Sequence, residues 1–220
     1  RGLVGLRLGQ RLELLAQAQV EVLLIALRVV DHSAQRAEAE GVEPVLHHVE
    51  RGALVADEQH ALAAGEVVLS ETERSMGAAV VDLGAGTTDI AIYINGDVWH
   101  TNVINVGGNH VTSDIAQGLR LPLDIAEEVK LQHGHANLDE VSDEETFSIM
   151  AFGNEEATKV NRAELVNIIE ARMEEIMQLV EQEIKRSSYD VMLPAGLVLT
   201  GGASQLPGIK KLAQRITNMP

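Results

Sequence analysis

The chain has 220 residues, a formal net charge of −16 at pH 7 and no cysteine. That length can bury one sizeable core or two modest ones, while the charge argues against nucleic acid as a partner, because gripping a phosphate backbone rests on Lys and Arg neutralising it. Without cysteine, disulfides and thiolate metal sites are excluded, and a reducing cytoplasmic setting fits best.

Residues 1–60 contain no Lys, Phe, Tyr, Trp, Asn, Thr or Met, and all the lysines (Lys130, Lys159, Lys185, Lys210, Lys211) follow them. Two readings account for this step. One is an Ala/Leu-rich helical region, since "LRLGQRLELLAQAQVEVLLIAL" has apolar residues near helical spacing. The other is translation of a wrong reading frame or a misassembled gene, in which case these residues specify no evolved fold. The longest apolar stretch, Val20 to Val30, contains Glu21 and Arg28 and falls short of the ~20 residues a spanning helix needs. The start of the chain shows neither the basic run nor the small-residue cleavage site of a secretory signal.

From Ala78 the pattern sharpens. "AAVVD" is a short apolar run of the kind a central strand shows. A glycine loop follows, and then "DIAIYIN" and "DVWHTNVINV" read as two strands joined at Asn95-Gly96, the strongest short signal of a type I′ hairpin. "GGNHVTSDIAQGLRL" predicts a helix with Val111, Ile115 and Leu119 on one face. "PLDIAEEVKLQHG" predicts a second helix, opened by Pro122 and closed by Gly134. The acidic segment from Asn137 to Val160 reads as short strands and loops. Asn161 then caps the clearest helix, with Glu164 completing a capping box and Leu165, Ile168, Ile169, Ile176, Leu179 and Val180 on one stripe. Last, "AGLVLTGGASQLPGIKKLAQRI" predicts a buried strand, a Gly-Gly turn and a helix entered through Pro207 and Gly208.

The loop "DLGAGTTD" has the residue types a phosphate cradle needs. Gly84 and Gly86 let backbone amides approach an anion that a Cβ would hold away. Thr87 and Thr88 add hydroxyl donors, and Asp82 at the strand end can hold a hydrated Mg²⁺. "LTGGASQLPG" repeats the build of strand, paired glycines and helix start, which suggests two walls of one nucleotide cleft. Between them in sequence, Glu127 and Lys130 share a helix face; they read either as a surface ion pair or as a contact to a ribose or base.

These residues resemble the superfamily of actin, heat-shock chaperones and sugar kinases, and within it most closely the bacterial cell-division family FtsA. "DLGAGTTD" is similar to the superfamily's second phosphate motif, "GGNHVTSDIAQGL" with "AEEVKLQHG" to the FtsA continuation, and "LTGGASQLPGI" to its adenosine motif. The resemblance runs from about Ala63 to Pro220. It implies an α/β fold: a ribonuclease-H-like, actin-type ATPase domain with a mixed sheet and flanking helices (61–122 and 194–220), plus a small α+β subdomain (123–193). It also implies ATP and Mg²⁺ as ligands. Asp82 would organise the metal and act in catalysis; Gly84, Ala85, Gly86, Thr87 and Thr88 would cradle the phosphates. Glu127 and Lys130 would approach the ribose and base, with Gly201, Gly202 and Ser204 on the adenosine side.

Two departures bear on function. Residues 1–60 show no counterpart of the family's first phosphate loop, which favours the frame-error reading, and Ala85 stands where the family has a third glycine. The resemblance puts the membrane-binding amphipathic helix of FtsA after the adenosine motif, beyond Pro220. Half of a two-domain clamp is expected to hydrolyse ATP negligibly, since phosphoryl transfer needs groups from both halves. The partners implied are the C-terminal tail of the tubulin-like protein FtsZ, received by the 123–193 subdomain, and further copies of the chain in an actin-like polymer, at the inner face of the cell membrane. The alternatives are a pilus-assembly or shape-determining scaffold and, less favoured, a sugar or acetate kinase. The histidines His100, His110, His133 and His135 read as surface polar groups, Met173 and Met177 as packing, and Trp99 as a residue exposed beside the hairpin.

Overall fold

The computed structural model describes residues 58–150 and 157–220; the readings made for residues 1–57 lie outside the described residues. Three strands form the predicted meander: β1 (Ala78–Leu83), β2 (Thr88–Ile94) and β3 (Asp97–Ile104). Asn95 and Gly96 both have positive φ, 55° and 88°, the pair of values a two-residue I′ turn requires. The last strand, β6 (Gly196–Thr200), joins the sheet in the order β3-β2-β1-β6. The contacts of β1 with β2 and of β2 with β3 are antiparallel, and that of β1 with β6 is parallel. The sheet is therefore mixed, as expected.

Side chains alternate across β1 and β2 and so serve two cores. Ala79, Val81, Leu83, Ile90 and Ile92 face the helices α3 (Gly108–Gly118), α5 (Arg162–Arg186) and α6 (Ile209–Thr217). Ala78, Val80, Ala91 and Tyr93 face α1 (Glu58–Val68), where they bury Ala61 and Leu62. Thus α1 runs through the compositional step at residue 60 without interruption. It is followed by α2 (Glu71–Met76), whose Ser70 and Glu73 form a reciprocal capping box that sequence reading passed over.

Helix α4 (Leu123–His133) lies between Pro122 and Gly134, as expected. The hairpin of β4 (Thr146–Ile149) and β5 (Thr158–Asn161) leads into α5, and Phe147, Ile149 and Val160 continue the larger core. Asn161 caps α5 by accepting from the Ala163 amide at 2.8 Å. The bond falls one residue short of the expected pairing with Glu164, and the Asn161 amide group donates to Asp143 O instead. Met173 and Met177 are fully buried core residues. Trp99 is half-buried rather than exposed: its indole N–H donates to Ile94 O at 2.9 Å and its ring meets Tyr189 edge-on at 5.5 Å. Across helices, Arg172 of α5 grips Asp114 of α3 in a two-pronged ion pair, with N–O distances of 2.6 and 3.0 Å.

Candidate functional site

Because β1 and β6 are parallel neighbours, the loops that follow them emerge at the same edge of the sheet, the edge where ligands settle in open α/β sheets. A cavity of about 340 Å³ lies there. Gly84 and Ala85 of the first loop line it, with Gly202, Ala203 and Gln205 of the second, Glu127 and Lys130 of α4, and Met173 of α5 as further wall. The structure thus brings together Gly84, Ala85, Glu127, Lys130 and Gly202 from the residues singled out in the sequence.

The remaining candidates stand behind or beside that wall. Thr88 is buried, and its hydroxyl donates to Val106 O at 2.7 Å, so it secures the start of β2. Thr87 donates to Asp89 at 3.3 Å, and Gly86 is exposed at the loop tip, where an added Cβ would meet nothing within 4 Å. Ser204 donates to Gly201 O at 2.7 Å, closing the second turn. Asp82 and Asp89 are cross-strand partners. Asp89 is buried, and neither carboxylate lines the cavity, so both stand behind its wall. Ala85 lies outside the left-handed region, so its methyl costs no backbone strain.

Helix α3 locks the first loop from behind. Its amides at Gly108 and Asn109 donate to Gly84 O at 2.9 Å and Ala85 O at 2.8 Å. Gly107 must be glycine for this: a Cβ there would stand 2.7 Å from Gly84 O and 2.8 Å from Ala85 O. These amides are thereby spent on the loop, and the Gly84 amide donates within it to Thr87 O at 3.0 Å. The phosphate-binding reading therefore falls to the amides at the tip, with Gly84 contributing the close approach that its missing Cβ allows.

On the other wall, Lys130 donates to Gly108 O at 3.2 Å and Thr112 Oγ1 at 2.8 Å, and pairs with Glu127 Oε2 at 2.7 Å. The Thr112 hydroxyl is also in hydrogen-bond contact with Glu127 Oε2. Burial works against the Glu127 carboxylate, yet the hydrogen bonds from Lys130 and Thr112 and the Lys130 charge outweigh it and hold its pKa below the usual range. The ion pair read from spacing alone lines the cavity, with Lys130 largely covered and Glu127 partly open to solvent. Met173 was missed as a wall residue, and Thr112 as the buried partner behind the pair, because their helices come into register only in three dimensions.

The histidines have other tasks. His110 Nδ1 accepts from the Gly107 amide, His133 stacks on Phe147 at 4.4 Å, and His100 bonds Glu183 at 2.8 Å.

A mixed sheet with flanking helices and two glycine turns opening on one cavity defines the actin-like ATPase fold. Consistent with this, the chain is similar to MreB 5 of Spiroplasma citri bound to AMPPNP, at 26% identity and a TM-score of 0.60, over 74% of this chain and 51% of that one. MamK bound to AMPPNP shares the fold at 20% identity, with a TM-score of 0.51, over 75% of this chain and 57% of that one.

The family model of cell division protein FtsA matches residues 79–220. Cell division protein FtsA of Bacillus subtilis is 44% identical over 155 residues, 70% of this chain and 35% of that protein. The FtsA of Neisseria meningitidis is 40% identical over 182 residues, 81% of this chain and 44% of that protein. The chain belongs to the FtsA family, and it spans less than half the length of these relatives.

Proposed function

We propose that this chain is the ATP-binding half of an FtsA-type cell-division scaffold. The observation that carries the reading is the single cavity shared by the Gly84–Ala85 turn, the Gly202–Gln205 turn and the Glu127–Lys130 pair. Its size suits a bound nucleotide, since ligand pockets begin at roughly 300 Å³. Gly84, Ala85, Gly86 and Thr87 would hold the phosphates, Asp82 would hold Mg²⁺ through water, and Glu127, Lys130, Gly202 and Ser204 would face the nucleoside. Bound Mg²⁺ would neutralise phosphate charge. Thr88 would keep the loop's exit strand in place through Val106.

The assembly role follows from family membership and the resemblance. The 123–193 subdomain would receive the C-terminal tail of FtsZ, and copies would associate into actin-like polymers at the inner face of the membrane. No helix among the described residues is long and apolar enough to cross a membrane.

A fluorescent ATP analogue, displaced by unlabelled ATP in a Mg²⁺-dependent manner, tests the first part; no displaceable binding overturns it. Retention of the chain on an immobilised FtsZ-tail peptide tests the second, and passage through the column at the level of a scrambled peptide overturns it.

A further inference from the structure

Beside the cavity, Thr112 of α3 is almost fully buried and touches both members of the α4 pair. A hydroxyl can accept from an ammonium and donate to a carboxylate at once, and valine could do neither; Gly108 O, 3.1 Å from Thr112 Oγ1, is the competing and longer acceptor for the same proton. Lys130 has three N–H donors, and three acceptors surround it: Gly108 O, Thr112 Oγ1 and Glu127 Oε2. Its ammonium therefore offers the cavity charge rather than a hydrogen bond. The contacts of Glu127 with Thr112 and Lys130 fall on the same oxygen, Oε2. This leaves Oε1 as the acceptor for a hydroxyl donor in the cavity.

Gly108 couples this network to the first loop: its N–H donates to Gly84 O while its C=O accepts from Lys130. A single turn of α3 thus carries both the loop that would meet phosphate and the group that orients the carboxylate.

From this geometry we infer that Thr112 is a positioning residue for ribose recognition: it fixes Glu127 so that Oε1 accepts from the sugar hydroxyls of a nucleotide in the cavity. The inference rests on the nucleotide reading above. Without the Thr112 hydroxyl, Glu127 and Lys130 still attract one another, but the carboxylate loses its anchor on α3 and turns.

The test compares the affinities of ATP and 2′,3′-dideoxy-ATP for the full chain. The unmodified chain should prefer ATP roughly tenfold, the worth of one hydrogen bond to a charged group. In Thr112→Val the ratio should fall to about one, and in Thr112→Ser it should return to within about twofold of the parent, the margin set by a restored hydrogen bond. An unchanged ratio in Thr112→Val, or no rescue by serine, overturns the inference while leaving the nucleotide reading standing. Failure of the unmodified chain to bind either nucleotide overturns both. Should Thr112→Val lose its thermal transition, the ligand-free chain decides by NMR. The Lys130 ammonium protons should be visible through slowed exchange in the parent and in Thr112→Ser, and their absence from the parent contradicts the network.

Discussion

Asp82 and Gly201 are shaped to one another: a Cβ on Gly201 would stand 2.2 Å from Asp82 Oδ1 and 2.6 Å from Leu83 O, and Gly201 has a φ of 86°. The carboxylate at the end of β1 therefore packs against the turn that follows β6. The two glycine loops are joined behind the cavity as well as around it.

Gly201→Ala should cost about 2 kcal/mol or more, because it combines a left-handed backbone with a contact no Cβ can make. Gly202→Ala is the control. An added Cβ there meets nothing within 4 Å, so the change should stay within about 0.5 kcal/mol. Urea midpoints of the two variants give the comparison, and equal losses would refute the interlock.

Tyr93 is buried on the α1 side of the sheet and donates to Leu62 O at 3.0 Å. Burial first, then the negative charge of Glu66, push its phenol pKa above the ordinary value against the pull of Arg74. Tyr93→Phe should lose about 1 kcal/mol. It should also remove from an alkaline absorbance titration the component that ionises only as the chain unfolds. Gly65→Ala should be more damaging, since its Cβ would fall 2.2 Å from Tyr93 Oη. If both variants matched the parent, α1 would not belong to the fold.

Glu183 on α5 is buried; it accepts from Arg186 at 2.8 and 2.9 Å and bonds His100 on β3 at 2.8 Å. Burial raises its pKa, but the bonds and charges of Arg186 and His100 overcome this and leave it below the usual value. A carboxylate whose folded pKa is depressed stabilises the fold above its unfolded value, about 4.3 for Glu, and loses that contribution as pH falls through the folded value. Glu183→Gln should therefore be less stable than the parent at neutral pH, with the gap closing as the solution is acidified below about pH 4.3. Denaturant midpoints across the acid range read this directly. A gap independent of pH contradicts it.

Elements announced by local chemistry were legible in the sequence. Asn95-Gly96 named its turn, Pro122 and Gly134 bracketed α4, and the two glycine loops marked the carboxyl ends of parallel neighbours. Less legible were relationships that depend on which surfaces meet. The residues after the compositional step at residue 60 gave no sign that Ala61 and Leu62 would pack on Tyr93 from the far side of the sheet. Trp99 beside a turn looked exposed, but Tyr189, far along the chain, covers it. Glu127 and Lys130 were visible as a pair, whereas the Thr112 that holds them lies on another helix. Likewise, nothing local reveals that the α3 amides are spent on Gly84 and Ala85, because the helix start itself looks ordinary.

The central claim is that the two glycine turns and the α4 pair are the walls of one nucleotide site. Titration of isotope-labelled chain with Mg·ATP, followed by amide NMR, tests it most directly. Gly84, Ala85, Gly202 and Lys130 should shift together along a single saturation curve. Saturable shifts confined to other parts of the chain, or shifts at one glycine turn without the other, would contradict it.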